Sequence, residues 1–256
     1  MDALIGHTGF VGGNLLRQHT FGACFNSTNI EAISGRQFDT LAFAGAQGKK
    51  WWANQNPEAD RRGIERALNA LRGVRARRVV LISTVDVLPQ LGGADESFDC
   101  MGIPNHPYGA NRLWLESALR EQFPGVIVVR LPALFGPDLR KNILYDLLHD
   151  NLVDKIDPAA RFQFYDLSCL WNDIQRAEAA GLSLIHFVTE PILTSDIVAR
   201  FFPGAPVGTP PPSGSPAYDI QTLHASVFGG SGSYIQDRVE VMRRMGAFVA
   251  AERANE

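Results

Sequence analysis

The segment ALIGHTGFVG at residues 3–12 joins a short apolar run to a helical pattern through a glycine-rich turn. Ala3–Ile5 is typical of a strand, and Phe10–Arg17 is typical of a helix. Glycines in such a turn let the backbone approach a phosphate closely, and the start of the helix offers unpaired N–H groups. The order of strand, turn and helix predicts a dinucleotide pyrophosphate at this turn, and the alternative is a tight turn that binds nothing. The residues of the predicted cradle are Gly6, Gly9, Phe10, Val11 and Gly12.

Short apolar runs alternate with helical patterns through the first half of the chain. Strands are predicted at Gly22–Phe25, Thr40–Ala44, Arg78–Ser83 and Val126–Arg130, and helices at Pro57–Leu71 and Tyr108–Leu119. Continuous apolar strands are typical of parallel sheets buried on both faces, so the pattern predicts an open, doubly wound α/β sheet. The link Asn26–Asp39 is short for a crossover, and a turn or one short helical piece is expected around Glu31–Ile33.

The pattern changes after Pro137, which predicts a second region. A dinucleotide-binding domain is expected at residues 1–137, completed by about residues 166–190, with a small substrate lobe over most of residues 138–256. A helix is expected at Thr194–Phe202, capped by Thr194 or Ser195. The Pro- and Gly-rich segment Pro203–Pro216 indicates a loop.

Composition excludes several classes of protein. The chain has 24 Lys and Arg against 27 Asp and Glu, so its net charge is −3, and a chain without a basic block is a poor nucleic-acid binder. No apolar run approaches the ~18 residues of a membrane span, and Ala3–Ile5 already has strand character, so no leader is expected. Cys24, Cys100 and Cys169 lie far apart, which predicts a reducing, cytoplasmic location without disulfides. The histidines form no metal-binding pair, so no metal is expected.

The end of the second predicted strand bears on the choice of dinucleotide. NAD sites usually place an acid about 20 residues after the glycine turn, where it binds the ribose hydroxyls. Here Asn26 and Ser27 occupy that place, and neither repels a 2′-phosphate. The sequence therefore favours NADP over NAD, although both asparagine and serine can bond either form. Arg36 is a candidate phosphate ligand.

These features, taken together, resemble the extended short-chain dehydrogenase/reductases, a group of NAD(P)-dependent nucleotide-sugar epimerases and dehydratases with a Rossmann fold. The resemblance covers residues 1 to about 200. It rests on landmarks in a fixed order, which are Gly6–Gly12, Phe43-Ala44-Gly45, Leu81–Thr84, Tyr108 with Arg112, Arg130–Pro137 and Thr189–Ile192.

The resemblance implies roles for residues that the local pattern does not assign. Phe43, Ala44 and Gly45 are expected under the adenosine and pyrophosphate, and Pro132 and Leu134 beside the nicotinamide. Asn142 and Phe164 are expected on the sugar side. The family also implies a homodimer through the two long helices. The second of these helices has an apolar stripe that fits either a partner or the sheet, and its residues are Leu113, Leu115 and Leu119.

Tyr108 is the predicted acid/base of a hydride-transfer reaction. A tyrosine has a pKa near ~10, and lowering it by ~3 units takes about 4 kcal/mol of differential stabilisation, which a cation one helical turn away helps to supply. The family has lysine there, whereas this chain has Arg112, which keeps the charge and can bind ribose hydroxyls but never releases a proton. The alternative is that Tyr108 and Arg112 only decorate a surface helix opened by Pro107.

Two residues at the end of the Arg78–Ser83 strand complete the predicted catalytic set. The Thr84 hydroxyl is placed to hold a substrate oxygen, although threonine often ends strands for structural reasons. Asp86 occupies an acid/base position of related enzymes, or it bonds loop backbone. Thr84-Val85-Asp86 lacks the acid that sugar dehydratases carry at the middle position, which argues against a dehydratase.

The sequence thus predicts an NAD(P)-dependent oxidoreductase that acts on a sugar or nucleotide-sugar, as a reductase or an epimerase. Thr84, Tyr108 and Arg112 form the active set, with Asp86 as a further candidate. The alternative is a dinucleotide-binding sensor or partner protein with weakened catalysis, which Arg112 and the shortened crossover favour.

Overall fold

The structure, a computed structural model, describes residues 1–254. The chain divides into two compact units, each assembled from three separate segments. The first unit contains Met1–Pro89, Phe98–Leu131 and Leu170–Ile185, and the second contains Gln90–Ser97, Pro132–Cys169 and the residues from His186 on. The backbone therefore passes from one unit to the other five times.

The strands and helices alternate through most of the chain. Within residues 1–254 the strands are β1 (Ala3–Ile5), β2 (Ala23–Phe25), β3 (Gln37–Phe43), β4 (Arg75–Thr84), β5 (Ile127–Leu131), β6 (Ala133–Phe135), β7 (Arg161–Phe162), β8 (Phe164–Asp166), β9 (Leu184–His186) and β10 (Ile192–Leu193). The α-helices of the same residues are α1 (Phe10–Leu16), α2 (Lys50–Gln55), α3 (Pro57–Ala70), α4 (Pro107–Gln122), α5 (Ile143–Leu148), α6 (Leu170–Ala179), α7 (Thr194–Phe201) and α8 (Arg238–Ala254). None of these helices combines the length and the hydropathy that a bilayer span requires.

The central sheet has six strands in the order β2-β1-β3-β4-β5-β9. β1 pairs in parallel with β2 on one side and β3 on the other, and the β3–β4 and β4–β5 pairs are also parallel. The predicted doubly wound parallel sheet is therefore confirmed. The strand order reverses at β1, and ligands of such sheets bind beyond the carboxyl ends of the strands at the reversal point. Ile5 and Phe43 are register partners there, so the glycine turn and the segment after β3 both begin at this point.

The structure extends several predicted elements. β3 and β4 each begin three residues before the apolar runs predict, because Gln37 pairs with Arg75 in the polar first halves of both strands. The expected helical piece in the short crossover is confirmed as a 3₁₀ turn at Ile30–Ile33. The helices α2 and α6 were not predicted.

The predicted apolar stripe of α4 faces the sheet. Leu115 is 1% exposed and Leu119 is 0% exposed, and both belong to the same buried cluster as Leu81 and Val128. Leu115 and Leu119 are therefore part of the core of the first unit, whereas Leu113 is half-buried and lies outside this cluster. The homodimer stays a prediction, without this stripe as its support.

The second unit contains two short sheets. β6 pairs in parallel with β8, and β7 pairs with β10 in the antiparallel direction. The prediction that Thr194 or Ser195 caps the following helix is wrong. Leu193 is the cap residue, and Thr194 is the first residue of α7, where its hydroxyl donates to the Ala160 carbonyl at 2.9 Å.

Candidate active site

The glycine turn after β1 packs tightly against the segment that follows β3. Gly6 has a φ of +90°, and a Cβ atom there would lie 2.3 Å from the Ala44 carbonyl oxygen. A Cβ atom at Gly12 would lie 2.1 Å from the carbonyl oxygen of Gly6. Any larger residue at either position collides with backbone, so these two glycines are required by the fold itself.

The part of the turn that faces solvent is the pair Thr8 and Gly9. Both residues are exposed, whereas Phe10 and Val11 are half-buried. Gly9 precedes α1 in an extended conformation without a side-chain cap, and the first turn of α1 carries no acid. The Gly9 N–H already donates to the Gly6 carbonyl at 3.0 Å, so the donors left for an anion are the N–H of Thr8 and the first N–H groups of α1, at Phe10 and Val11, with no carboxylate in that turn. This donor set fits a pyrophosphate.

The turn after β2 is held by its own asparagine side chains. The Asn26 side-chain oxygen accepts from the Thr28 backbone N–H at 2.8 Å and from the Thr28 hydroxyl at 2.7 Å. The Asn29 side chain closes the same turn by accepting from the Asn26 N–H at 2.7 Å. Within residues 1–254 the side-chain amide nitrogen of Asn26 donates no hydrogen bond. This nitrogen, next to the exposed Ser27, is therefore the group that the turn can offer to a ligand.

Arg36 does not lie at the ligand-binding edge of the sheet. It directly precedes β3, at the amino end of that strand, and its guanidinium lies 5.4 Å from the ring centroid of Phe25 and 5.3 Å from that of Phe38. These cation–π contacts give the side chain a packing role. The geometry offers no support for Arg36 as a phosphate ligand.

The segment Phe43-Ala44-Gly45 presents its backbone, not its aromatic ring, at the carboxyl edge. The Phe43 side chain is 1% exposed and belongs to the core, whereas Gly45 is exposed. Any contact of this segment with an adenosine or a pyrophosphate therefore uses Ala44 and Gly45.

Thr84 and Tyr108 meet at the carboxyl end of β4. The Thr84 hydroxyl interacts with the Tyr108 phenol and acts to lower its pKa, and it also accepts from the Asp86 backbone N–H at 3.1 Å. α4 approaches this loop so closely that a Cβ atom at Gly109 would lie 2.2 Å from the Asp86 carbonyl oxygen. The pair therefore has a fixed position at the edge where the strands end.

The Tyr108 phenol is almost fully buried, with 8% of the residue exposed. Burial raises the pKa of Tyr108 above its ordinary value, and the neighbouring Asp86 carboxylate acts in the same direction. The Arg112 charge, the Thr84 hydrogen bond and the Lys50 charge all oppose this rise. The phenol is therefore protonated at neutral pH in the ligand-free protein.

Arg112 is bound to a carboxylate that the sequence analysis did not single out. Its guanidinium donates to the two Asp60 carboxylate oxygens at 2.5 and 2.9 Å and to the Gln47 carbonyl. The side chains of Arg112 and Asp60 are 3% and 2% exposed, and Arg112 lies over the Tyr108 ring at 4.3 Å from its centroid. Arg112 is expected to bind ribose hydroxyls, but both of its terminal nitrogens already donate to Asp60. The structure therefore does not have the expected arrangement.

Asp86 forms an ion pair with Lys50 at 2.7 Å. The alternative that the Asp86 side chain bonds loop backbone stays a prediction beside this ion pair. His106 lies beside the pair and caps α4 by accepting from the Gly109 N–H at 3.0 Å. Burial lowers the pKa of His106, and the Lys50 charge lowers it further, whereas Asp86 raises it.

Four residues of this cluster were missed by the sequence analysis, and they are Lys50, Asn54, Asp60 and Asn105. Asn54 accepts from the Tyr108 backbone N–H at 2.9 Å, and Asn105 donates to the Asp86 carbonyl at 3.0 Å. One signal was available for Asp60, which lies four residues before Ile64 and therefore continues the apolar stripe of α3. An acid on a buried stripe needs a partner.

The four residues expected near the nicotinamide and the sugar all belong to the second unit. Pro132 and Leu134 are half-buried. Asn142 caps α5, since its oxygen accepts from Leu144 N–H at 3.0 Å and its amide donates to the Leu134 carbonyl at 2.8 Å. Phe164 is 1% exposed. Phe164 has almost no exposed surface with which to contact a sugar. Asn142 already uses its side-chain oxygen and nitrogen in hydrogen bonds at the start of α5, so a sugar contact would compete with those bonds.

No group of three or more His, Cys, Asp or Glu side chains within residues 1–254 is arranged to hold a metal ion.

A doubly wound sheet with a glycine turn after its first strand is a fold that dinucleotide-binding proteins use. The sequence model of the NAD dependent epimerase/dehydratase family matches residues 19–156, more than half of the 256-residue chain. The chain therefore belongs to the NAD dependent epimerase/dehydratase family. The match begins at residue 19 and so does not include the glycine turn. The close packing of that turn against Ala44 therefore supports the family assignment independently of the match.

Solved structures of the same fold come from proteins with different reactions. The dTDP-4-dehydrorhamnose reductase of Yersinia enterocolitica has a TM-score of 0.72 and 16% identity, with 97% of this chain and 98% of that chain covered. The UDP-glucose 4-epimerase of Thermotoga maritima has a TM-score of 0.71 and 14% identity, with 100% and 99% covered. A dTDP-glucose 4,6-dehydratase of Streptomyces venezuelae has a TM-score of 0.72 and 15% identity, with 100% and 97% covered. No curated protein sequence matches the chain at a significant level.

Proposed function

We propose that the protein is an NAD(P)-dependent oxidoreductase of the extended short-chain dehydrogenase type that acts on a sugar or nucleotide-sugar. The observation that carries this proposal is the neighbouring position of Thr84, at the carboxyl end of β4, and Tyr108, at the start of α4, in a chain of this family. The solved structures of similar fold include a sugar-nucleotide reductase and an epimerase, which supports the substrate class.

The residues of the first unit fit a dinucleotide. A bound nicotinamide supplies the hydride donor or acceptor of the reaction. The N–H groups of Thr8 and of the first turn of α1 would hold the pyrophosphate, with Gly9 allowing its close approach and Ala44 and Gly45 beneath it. Asn26 and Ser27 would contact the adenosine ribose.

NADP is the proposed dinucleotide. The turn after β2 carries no acid, and the Asn26 amide is a donor that suits a 2′-phosphate. Asn26→Asp is expected to weaken NADPH binding by at least tenfold and to leave NADH binding within about threefold, because the new carboxylate repels the 2′-phosphate. Titration of both reduced dinucleotides by fluorescence measures this, and equal losses for the two would contradict the assignment.

Tyr108 would act as a general acid when a ketone is reduced. The buried phenol is protonated at neutral pH, so it can donate its proton to the substrate oxygen, which Thr84 would hold. The O–H bond of Tyr108 breaks as the O–H bond of the product alcohol forms. A protonated phenol favours the reductase among the two candidate reactions, because an oxidation needs a base first.

The second candidate is a dinucleotide-binding sensor or partner protein. The observation in its favour is the ion pair of Arg112 with Asp60. Because this pair uses both terminal nitrogens, the ribose lacks the hydrogen bonds that are expected from Arg112. Such a protein binds the dinucleotide and transfers no hydride.

Binding and turnover with Tyr108→Phe separate these candidates. NADPH binding is expected in both wild type and variant, and turnover of a panel of nucleotide 4-keto-sugars is expected to fall by at least ~100-fold in the variant. Unchanged turnover would remove Tyr108 from the mechanism. Binding by wild type with no oxidation across the panel would favour the sensor, and no binding of either dinucleotide would exclude both.

The cytoplasm is the proposed location. All three cysteines, Cys24, Cys100 and Cys169, are free thiols, which suits a reducing compartment.

A further inference from the structure

α4 begins with an N-cap residue that is uncommon in this position. The usual caps are serine, threonine, aspartate and asparagine, which offer a side-chain oxygen to the N–H groups of the first turn. Here His106 is the cap, and its Nδ1 atom accepts from the Gly109 N–H at 3.0 Å. His106 lies two residues before Tyr108, so the cap of this helix is also a side chain of the candidate active site.

The cap fixes the tautomer of the His106 ring. A ring nitrogen that accepts a hydrogen bond carries no proton, and a neutral imidazole carries its one proton on the other nitrogen. His106 therefore has its proton on Nε2. An imidazolium would direct a second N–H at the Gly109 N–H, so the cap disfavours the charged ring. Burial, followed by the Lys50 charge, lowers the pKa of His106 against the opposing effect of Asp86, and the ring is neutral at pH 7.

The Nε2–H group of His106 is the donor that remains at the start of α4. Pro107, the first residue of the helix, has no N–H. The Tyr108 N–H donates to Asn54 at 2.9 Å, and the Gly109 N–H donates to the cap. Within residues 1–254 the Nε2 atom takes part in no hydrogen bond. A ligand that reaches this end of the helix therefore meets a side-chain N–H donor of fixed tautomer.

The His106 ring lies beside the ring of Tyr108. The two ring centroids are 6.2 Å apart, and the ring planes are inclined by 26°. Side chains of a helix lean towards its N-terminus, so the Tyr108 phenol and the His106 ring occupy the same end of α4. Because Nδ1 faces the first turn, Nε2 on the other side of the ring is directed away from the helix. His106 is half-buried and Tyr108 is 8% exposed, so the histidine is the more accessible of the two.

We propose that His106 is a substrate-binding residue, and that its Nε2–H donates a hydrogen bond to an oxygen atom of the sugar beside the Tyr108 phenol. The inference rests on the proposed function and deepens it by adding a donor for the substrate. A neutral N–H donor suits a hydroxyl or carbonyl oxygen. A sugar presents such oxygens on the carbons next to the one that reacts.

Two substitutions of His106 separate the cap from the donor. The oxygen of an asparagine side chain takes the place of Nδ1, and asparagine is a favoured cap, so His106→Asn retains the cap and loses the distal donor. The longer glutamine takes the place of Nε2 with its amide N–H and is not a favoured cap, so His106→Gln retains the donor and loses the cap. A role in capping alone and a role in binding therefore predict opposite rankings of the two variants.

Calorimetric titration of the NADPH-loaded protein measures these rankings. The probe is the nucleotide-sugar that binds wild type most tightly among UDP-glucose, dTDP-glucose and GDP-mannose. His106→Asn is expected to raise the Kd of the probe about tenfold, and His106→Gln is expected to stay within about threefold of wild type. Thermal unfolding is expected to show the reverse, with a lower Tm in His106→Gln only. His149→Asn is the matched control at an exposed histidine and is expected to leave the Kd unchanged.

Nitrogen-15 NMR of the histidine side chains tests the tautomer without any ligand. The chain has six histidines, and the His106 signals are those that His106→Asn removes. A protonated Nε2 and an unprotonated Nδ1 are expected for His106 at pH 7. An Nδ1–H tautomer or an imidazolium at this pH would overturn the inference, because the cap would then not fix the donor.

Three binding results also overturn the inference. The first is a Kd of the probe in His106→Asn equal to that of wild type. The second is an equal loss in both variants, which assigns the effect to the packing of the ring. The third is a loss of NADPH affinity in His106→Asn, which assigns the donor to the dinucleotide. If His106→Gln does not fold, His106→Ser, a second variant with a cap and no distal donor, is expected to match His106→Asn.

A failure of the inference differs from a failure of the proposed function. Wild type that binds neither NADPH nor any nucleotide-sugar would overturn the proposed function and the inference with it. Wild type that binds both, with unchanged binding in His106→Asn, would overturn the inference alone.

Discussion

The ion pair between Arg112 and Asp60 ties α3 to α4 at a buried point. Asp60 also accepts from the Asn111 amide at 2.9 Å, so one carboxylate serves three donor nitrogens. Removing one partner of a buried pair leaves the other charge without compensation, which costs about 3–5 kcal/mol. The folded protein therefore requires Asp60 as long as Arg112 is present.

Asp60→Asn is expected to lower the free energy of unfolding by about 3 kcal/mol, because Arg112 then stays buried without an opposite charge. Urea unfolding followed by circular dichroism measures the change. Glu58→Gln is the control in the same helix, since the Glu58 side chain is 90% exposed and its pair with Arg62 is at the surface. A loss below 1 kcal/mol for Asp60→Asn would contradict the assigned role.

The residues of the candidate site differ in how far sequence could predict them. Thr84 and Tyr108 follow from local position, since one ends a buried strand and the other begins a helix. Their catalytic roles stay predictions. Lys50 and Asp60 could not be paired, because their partners are 36 and 52 residues away along the chain. The number and direction of such contacts depend on how α2 and α3 pack, which no local pattern specifies.

At the scale of the helix, two glycines predict opposite outcomes. Gly63 lies inside α3 with nothing within 4 Å of an added Cβ, so Gly63→Ala is expected to raise the free energy of unfolding by about 0.5–1 kcal/mol. Gly109→Ala in α4 is expected to lower it by about 2 kcal/mol or more, because the new atom meets the Asp86 carbonyl. Thermal unfolding of both variants measures the two signs. A stabilising Gly109→Ala would mean that α4 does not approach the loop this closely.

The first turn of α8 makes a pH-dependent contribution to the free energy of unfolding. Glu240 is held by hydrogen bonds from Arg243 and Arg244, and they lower its pKa to about 2. A carboxyl whose pKa is lowered on folding stabilises the protein above its unfolded pKa of about 4.5, and the contribution is lost as the pH falls towards 2. The group is more than a third solvent-exposed, so the effect is small.

Glu240→Gln is expected to cost about 0.5 kcal/mol at pH 7, and this difference from wild type should vanish near pH 2. Urea unfolding at several pH values measures it. Glu252→Gln is the control on the same helix, because Glu252 forms no ion pair within residues 1–254. A difference that stays constant down to pH 2 would show that the Glu240 charge is not the cause.

Strands and helices with strong apolar patterns were predicted best. The run Arg78–Ser83 and the stripe of α3 both lie where the sequence indicates, because burial imposes the pattern. The first halves of β3 and β4 were missed, since Gln37, Arg75 and Arg77 are polar and only the pairing of the backbone makes them strand. α2 was missed because six residues show too little of a helical period.

At the scale of the whole molecule, the chain cannot be divided by a single cut. The first unit needs Leu170–Ile185, which contains α6 and most of β9, although the sequence returns to it only after the segment Pro132–Cys169. β9 is the neighbour of β5, whose five residues are all buried. Without β9, β5 becomes an exposed apolar edge.

A fragment of residues 1–131 is expected to aggregate or to lack a cooperative thermal transition, because it leaves the edge of β5 uncovered. Circular dichroism and light scattering of the fragment beside the full chain measure this. A fragment that melts cooperatively near the temperature of the full chain would show that α6 and β9 are dispensable.

The pairing of Arg112 with Asp60 couples the choice of residue at the two positions. A lysine at residue 112 presents its donors from a single nitrogen, so it loses the planar two-nitrogen geometry that binds both Asp60 oxygens and the Gln47 carbonyl. The cost of Arg112→Lys therefore depends on residue 60, and a change at either position alone disturbs a buried charge pair. The two positions are thus expected to tolerate substitution jointly rather than one at a time.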